Sequence, residues 1–300
     1  MTAPRVAHTR QELADALAPA RTAGRQVGLV PTMGALHEGH ASLMRVAHEA
    51  VGDGPVVVSV FVNPMQFAAG EDLDRYPRTL DADLEVCEAE GVDVVFVPSV
   101  EEVYPGGEPR VTVDPGPDAT VLEGRVRPTH FHGVLTVVAK LLGLVRPDVA
   151  VFGQKDYQQL ALIRRMVADL CMAVDVVGAP TVREHDGLAL SSRNRYLDPE
   201  QRLRAAALSR TLFAAANAAP YGVEAVLGSA RAELRRAHGV DLDYLEVTAP
   251  DLGPAPERGD ARVLIAARVG GTRLIDNMAV TLGQSPENRP ASALSDHRGS

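Results

Sequence analysis

Five short apolar runs, separated by stretches of helical spacing, constrain the fold of this sequence more than any other feature. QVGLVPT, PVVVSVFVN, GVDVVFVPS, PDVAVFG and MAVDVVGAPTV are rich in β-branched residues and nearly continuous in their hydrophobicity. A strand that is apolar on both sides must be covered on both sides, which is the condition of a parallel sheet between two helix layers. HASLMRVAHEA, LDADLEVCEAEG, HGVLTVVAKLLGLV and DYQQLALIRRMVADL supply amphipathic helices between the runs. The alternation predicts an α/β fold with a Rossmann-like doubly wound parallel sheet. The dinucleotide fingerprint G-x-G-x-x-G does not follow the first run, so a nicotinamide cofactor is not expected.

The texture changes after residue 182. LDPEQRLRAAALSRTLFAAAN and GVEAVLGSARAELRRAHG read as alanine-rich helices, with Pro199 at a helix start. VDLDYLEVTAP and ARVLIAARVGGTRLIDNMAV read as strands, the second divided by the turn Gly270-Gly271. This predicts a first domain over 1–182, a smaller C-terminal α+β domain over 183–283, and a disordered polar tail over 284–300.

Charge narrows the partners. The 39 acidic residues outnumber the 30 basic ones, for a net charge of −9, which argues against nucleic acid or an anionic membrane as partner. Anionic substrates therefore require local basic pockets. No apolar run reaches spanning length and the N-terminus lacks a signal-peptide pattern, so a cytoplasmic location is expected. Cys87 and Cys171 have no metal-ligand spacing and are expected to be two buried thiols. Only Lys140 and Lys155 are lysines, so a lysine here marks a position where a compact, mobile ammonium has a use.

The first strand runs into a turn with two histidines, PTMGALHEGH, and then a helix. Ligands of open α/β sheets bind beyond the carboxyl ends of strands, and a helix start offers unpaired N–H groups suited to phosphate. Gly34 and Gly39 allow close backbone approach. His37 and His40, three apart, share a helix face and can donate hydrogen bonds to a phosphorus centre gaining charge. A capped helix start with polar surface residues explains the four-letter motif equally well. A zinc pair lacks further ligands. Two later segments tilt the balance towards nucleotide. VFGQKDYQQL again leads from a strand into a helix and carries Lys155 and Asp156, suited to phosphate and ribose hydroxyls. GLALSSRNRY places Ser191, Ser192 and Arg193 together, two hydroxyls beside a guanidinium. Alone, the first would read as a solvated Lys-Asp pair and the second as a capping turn.

PTMGALHEGH, FVNPMQF, RPTHFHGV, GQKDYQQL and LSSRNRYL, in this order and separation, resemble the pantothenate synthetases, AMP-forming ligases that join (R)-pantoate to β-alanine and belong to the H-x-G-H nucleotidyltransferases. The similarity runs from about residue 8 to about 282. It implies two steps: the pantoate carboxylate attacks the α-phosphorus of ATP, giving pantoyl adenylate and pyrophosphate, and the β-alanine amine then displaces AMP. It further implies that Pro31, Thr32, Met33, Gly34, Ala35, Leu36, His37, Glu38, Gly39 and His40 line the ATP site. His37, His40 and Lys155 are its catalytic residues, with His40 the residue usually assigned as proton donor. Gly153, Gln154 and Asp156 join Lys155 around ribose and phosphates, and Val182 meets adenine. Leu190, Ser191, Ser192 and Arg193 close over the β- and γ-phosphates, with the smaller domain as a lid. Gln66 and Gln159 bind pantoate, with Met33 as an apolar wall and Arg127 and His130 nearby; Phe61 and Val137 or Val138 are further candidate walls. Magnesium accompanies ATP, with Asp83 as its one candidate protein ligand, weakened by Ala82 at the neighbouring position. A homodimer is implied, to which VVVSVFVN contributes an edge unless it is a buried sheet strand.

Two departures from the family pattern stand out. GQKD replaces G-E-K-D and LSSR replaces M-S-S-R, and neither removes a phosphate contact. Another H-x-G-H nucleotidyltransferase would need a second phosphate-bearing substrate in place of the glutamine-lined pocket. A regulatory nucleotide-binding module without catalysis is suggested by Gln154 alone.

Overall fold

The computed structural model describes residues 3–68 and 73–283; the tail expected over 284–300 lies outside them. The chain divides into two compact units between Val182 and Arg183.

In the first unit the elements run β1 (Arg5–Ala7), α1 (Arg10–Thr22), β2 (Gly28–Thr32), α2 (Glu38–Val51), β3 (Val56–Val60), α3 (Leu80–Ala89), β4 (Val94–Phe96), α4 (Val100–Val103), α5 (Glu123–Val126), α6 (His130–Val145), β5 (Val149–Gly153), α7 (Tyr157–Asp169) and β6 (Asp175–Ala179). All five strand pairings are parallel and the order is β1-β4-β3-β2-β5-β6. The doubly wound sheet is therefore as expected, with one strand more than the five runs. Alternate residues of one strand enter different cores. Leu29 and Val57 pack with Leu17, Phe96, Leu141 and Ile163 on one face. Val30, Val56 and Val58 pack with Met44, Ala47 and Val151 on the other. Both layers are needed to dry a strand with no polar side.

β1 and α1 escape the hydrophobic runs because β1 is three residues long and α1 carries Pro19 inside it. What starts α1 is a capping box, with Thr9 accepting from Glu12 N and the Glu12 carboxylate reaching back to Thr9 N. β3 lies between β4 and β2, so VVVSVFVN is a buried sheet strand and has no free edge to offer a second copy. Cys87 is buried but Cys171 is exposed, correcting the expectation of two buried thiols: it sits past the end of α7 with φ 51°.

The second unit holds α8 (Pro199–Ala205), α9 (Ala207–Ala218), α10 (Val223–Leu234), β7 (Asp241–Thr248), β8 (Gly259–Val269) and β9 (Thr272–Leu282), with the strands antiparallel in that order. Leu208, Leu212, Val226, Val263, Ile265 and Leu282 form its core. The single long helix read from LDPEQRLRAAALSRTLFAAAN is broken at Ala206 into α8 and α9. Pro199 is the first residue of α8, behind an Asp198–Gln201 capping box.

Candidate active site

The strand order reverses direction between β2 and β5: β3 and β4 extend the sheet to one side of β2, β5 and β6 to the other. Such a reversal opens a crevice at the carboxyl ends of the two central strands. Here the opening has a covalent cause. β2 pairs with β3 through Thr32↔Val60, but with β5 only through Leu29↔Ala150. Gly28 N donates to Pro55 O and Thr32 O accepts from Phe61 N, so the even-numbered residues of β2 bond towards β3. The odd-numbered ones bond towards β5, and the next of these is Pro31, which has no N–H. The ladder stops there, while β5 continues with β6 to Gly153↔Ala179.

Beyond Thr32 the chain makes a left-handed turn at Gly34 (φ 83°) and Ala35 (φ 52°). Asp83, 2% exposed on α3, holds it: Oδ2 accepts from Ala35 N (3.1 Å) and Oδ1 from Leu36 N (2.8 Å), with the Thr79 hydroxyl 3.3 Å from Oδ1. A Cβ on Gly34 would stand 2.8 Å from Asp83 Oδ2, so only glycine admits the carboxylate. The Thr32 hydroxyl donates to Ser59 O and accepts from Gly34 N. The turn's amides at Gly34, Ala35 and Leu36 are therefore committed inside the protein. Asp83, read from sequence as a magnesium ligand, has both oxygens occupied by backbone.

His37 is the N-cap of α2. Its Nδ1 accepts from Gly39 N (3.1 Å), and His40 Nδ1 accepts from His37 N (3.3 Å), so each imidazole takes the place of a capping carboxylate or hydroxyl. A backbone N–H is only a donor, which fixes both tautomers of the neutral rings: each keeps its proton on Nε2 and presents it away from the cap. The rings lie 4.2 Å apart between centroids. Loss of hydration, then the neighbouring His37, lowers the His40 pKa to about 3, with Asp156 opposing and Lys155 reinforcing the shift. His40 is thus a neutral donor at physiological pH. The capped-helix reading of H-x-G-H is borne out, and it does not compete with the ligand reading, since the capping nitrogen and the donating nitrogen are different atoms.

Gln154–Asp156 form a 3-10 turn between β5 and α7, across the crevice. Lys155 Nζ stands 3.6 Å from Asp156 Oδ1. The Gln154 side chain turns to the sheet and donates to Gly178 O on β6 (2.8 Å), and Glu38 turns outward to pair with Arg45.

Met33, Gln66, Arg127 and His130 are brought together. Gln66 Nε2 lies 2.9 Å from Met33 Sδ. Gln66 O accepts from Arg127 Nη2 (3.3 Å) and from His130 Nδ1 (3.0 Å), and His130 Nε2 accepts from Arg127 Nη1 (3.2 Å). Gln159 is half-buried on α7, and its side chain has no hydrogen bond to the described residues. Phe61, Val137 and Val138 all belong to the main core.

Val182 is half-buried at the end of the first unit. In the second unit, a loop carrying half-buried Leu190 rests on arginine ion pairs. Arg183 holds buried Asp276 through two bonds (2.6 and 3.0 Å), and Arg202 holds Glu184 and Asp186. Asn194 ties Glu184 to Ala189 O. Ser191 Oγ accepts from Arg193 N (3.3 Å) and caps the 3-10 turn Ser192–Tyr196. The Ser192 hydroxyl and the Arg193 guanidinium have no bond to the described residues.

Sequence reasoning passes over Asn63 and Tyr104, which stand behind Gln66. Asn63 is visible as the Asn-Pro turn within FVNPMQF; Tyr104, 41 residues on, gives no signal.

A family model described as pantoate-beta-alanine ligase matches residues 5–279. A pantothenate synthetase of Nocardioides sp. is 69% identical over 97% of this chain and 92% of its own length. One of Nocardia farcinica is 61% identical over 90% and 84%. The crystal structure of pantothenate synthetase from Thermus thermophilus superposes with a TM-score of 0.84 at 48% identity, covering 91% of this chain and 98% of that one. A pantoate-beta-alanine ligase of Francisella tularensis, complexed with beta-gamma ATP and beta-alanine, gives 0.75 at 33% identity, covering 92% and 97%. The sheet order, the histidine turn and this similarity along the whole matched length agree: the chain belongs to the pantoate-β-alanine ligase family.

Proposed function

We propose that this protein condenses pantoate with β-alanine at the expense of ATP, through pantoyl adenylate, releasing pyrophosphate and AMP. The observation that carries the reading is the pair of Nε2–H donors of His37 and His40 at a sheet crevice, with Lys155 on its other wall. In the first step a pantoate carboxylate oxygen bonds to the α-phosphorus as the bond to the pyrophosphate oxygen breaks. Charge grows on the oxygens between, where fixed donors stabilise it most. His40, neutral and already protonated on Nε2, acts in this proposal by hydrogen bonding rather than by proton transfer. In the second step the nitrogen of the neutral amine bonds to the acyl carbon as the bond from that carbon to the AMP phosphate oxygen breaks, AMP leaves, and the proton released from nitrogen passes to solvent.

Met33, Gln66 and Gln159, with Arg127 and His130 behind Gln66, are the proposed pantoate contacts. Gly153, Lys155 and Asp156 are assigned to ribose and phosphates, Val182 to adenine, and Ser191, Ser192 and Arg193 to the outer phosphates. Uncommitted Ser192 and Arg193 side chains support the last assignment. Magnesium enters in this proposal as part of the ATP substrate, carried by phosphate oxygens and water; the Asp83 oxygens accept from the amides of Ala35 and Leu36, and no step is assigned to a protein cage.

A cytoplasmic homodimer is part of the proposal. No helix among the described residues is long and apolar enough to cross a membrane. The homodimer rests on the family resemblance, and sedimentation at micromolar concentration tests it.

Pyrophosphate release with ATP, magnesium and pantoate tests the reaction. A single turnover with pantoate alone, becoming continuous with AMP formation when β-alanine is added, is the expected result. Release that ignores pantoate would sink the assignment.

A further inference from the structure

The amide orientation of Gln66 is not a free choice. Asn63 is 1% exposed and meets two backbone groups of fixed sense. Met65 N, only a donor, lies 3.3 Å from one terminal atom, and Gly133 O, only an acceptor, lies 3.1 Å from the other. The first atom must be Oδ1 and the second Nδ2. The remaining Nδ2 proton goes to Gln66 Oε1 (3.2 Å), which obliges Gln66 to turn its NH2 the other way, towards Met33.

Tyr104 completes this chain. Its hydroxyl donates to Asn63 Oδ1 at 2.8 Å, shorter than the Met65 bond to the same oxygen. The ring is 3% exposed, packs beside Phe61, and carries the Lys140 ammonium 5.4 Å above its face. Burial raises the phenol pKa above its ordinary value, so the hydroxyl keeps the proton it donates. Gly133 permits the approach, since a Cβ there would stand 2.2 Å from Met65 O.

We infer that Tyr104 is a positioning residue for hydroxy-acid recognition: acting through Asn63, it fixes Gln66 so that the site offers N–H donors, matched to the oxygen acceptors of a hydroxy acid. Without the phenol, Asn63 Oδ1 keeps one long bond, the amide plane is less restrained, and Gln66 loses its rigid partner. The inference rests on Gln66 contacting pantoate, as proposed above.

Tyr104→Phe removes one oxygen and leaves the packed ring. The expected result is a rise of about 5-fold in KM for pantoate, the scale of one net hydrogen bond, with KM for ATP unchanged and the thermal midpoint lowered by no more than about 4 °C. In a Gln66→Ala background the same substitution should change pantoate KM no further, because its path to the substrate is gone. An unchanged pantoate KM in the single variant, an equal shift for ATP, or additive effects in the double variant would each overturn the inference. Absence of pantoate-dependent pyrophosphate release from the unsubstituted protein would overturn the functional reading instead, so the two failures are separable.

Discussion

The histidine turn of the first unit and the serine-arginine turn of the second both lead into helical turns, yet they are held in opposite ways. Around His37 and His40 the bonds that shape the turn come from backbone amides, one hydroxyl and one buried carboxylate, so the Nε2 atoms of the two rings are fixed donors. Around Ser191 the frame is ionic, built on Arg183–Asp276 and on Arg202 with Glu184 and Asp186, and its tip carries the Ser192 and Arg193 side chains, which have no bond to the described residues. Donors aimed at developing charge must not reorganise during the reaction. A long cation that captures an anion from solvent gains from remaining mobile. On the proposed function, the contrast places rate with the first turn and affinity with the second.

The largest effect follows from removing a fixed donor. His40→Ala should lower the rate of pyrophosphate release at saturating ATP by about 10²–10³-fold, whereas Arg193→Ala should leave that rate nearly intact; comparable losses in both would erase the distinction. Next comes the support of the turn. Asp83→Ala orphans two amides and should destabilise the protein by about 3 kcal/mol, read by urea denaturation, with the magnesium concentration for half-activity unchanged. A shift in that concentration would return Asp83 to the metal. Arg193→Ala should raise KM for ATP about 10-fold, the value of one strong charge-assisted bond.

Proton linkage separates the two turns further. The folded pKa of His40 is depressed from 6.5 to about 3, so its contribution to stability is fully present above the unfolded value. It is lost progressively as pH falls from there towards the folded value. His40→Gln should flatten the acid limb of a stability-pH profile, and no residue from 190 to 193 titrates in that window. The smallest effect expected is at Ala35. Held at φ 52°, it carries left-handed strain that Ala35→Gly would relieve, partly offset by chain entropy, for a gain of about 0.5–1 kcal/mol in thermal unfolding.

What is legible in the sequence is whatever repeats with a short period or stands in one contiguous segment. β2 through β6 announce themselves because buried parallel strands are apolar throughout, and H-x-G-H and Q-K-D each sit within a single strand-to-helix turn. The supports are not legible in the same way. Asp83 reaches a turn 47 and 48 residues away, and Tyr104 reaches Asn63 across 41. Such pairings are made by the register of the sheet rather than by local preference. By sequence alone Asp83 resembles a solvated helix acid, because its helix has acids at other positions too and nothing local distinguishes the one that faces inward. Gln154 resembles a phosphate residue by adjacency to Lys155, but its side chain secures Gly178 on β6 instead.

Parallel strands left side by side tend to zip, and many clefts between them are kept open by ligand, by water or by motion. At Pro31 the missing donor is covalent, so the ladder between β2 and β5, which ends at Leu29↔Ala150, has no amide there with which to lengthen. Replacing Pro31 with valine would restore an amide facing β5 and give the ladder a means to lengthen towards Val151, narrowing the mouth. Amide exchange along β5 would then record, as a new slow-exchanging segment, the closure that this one imino acid prevents.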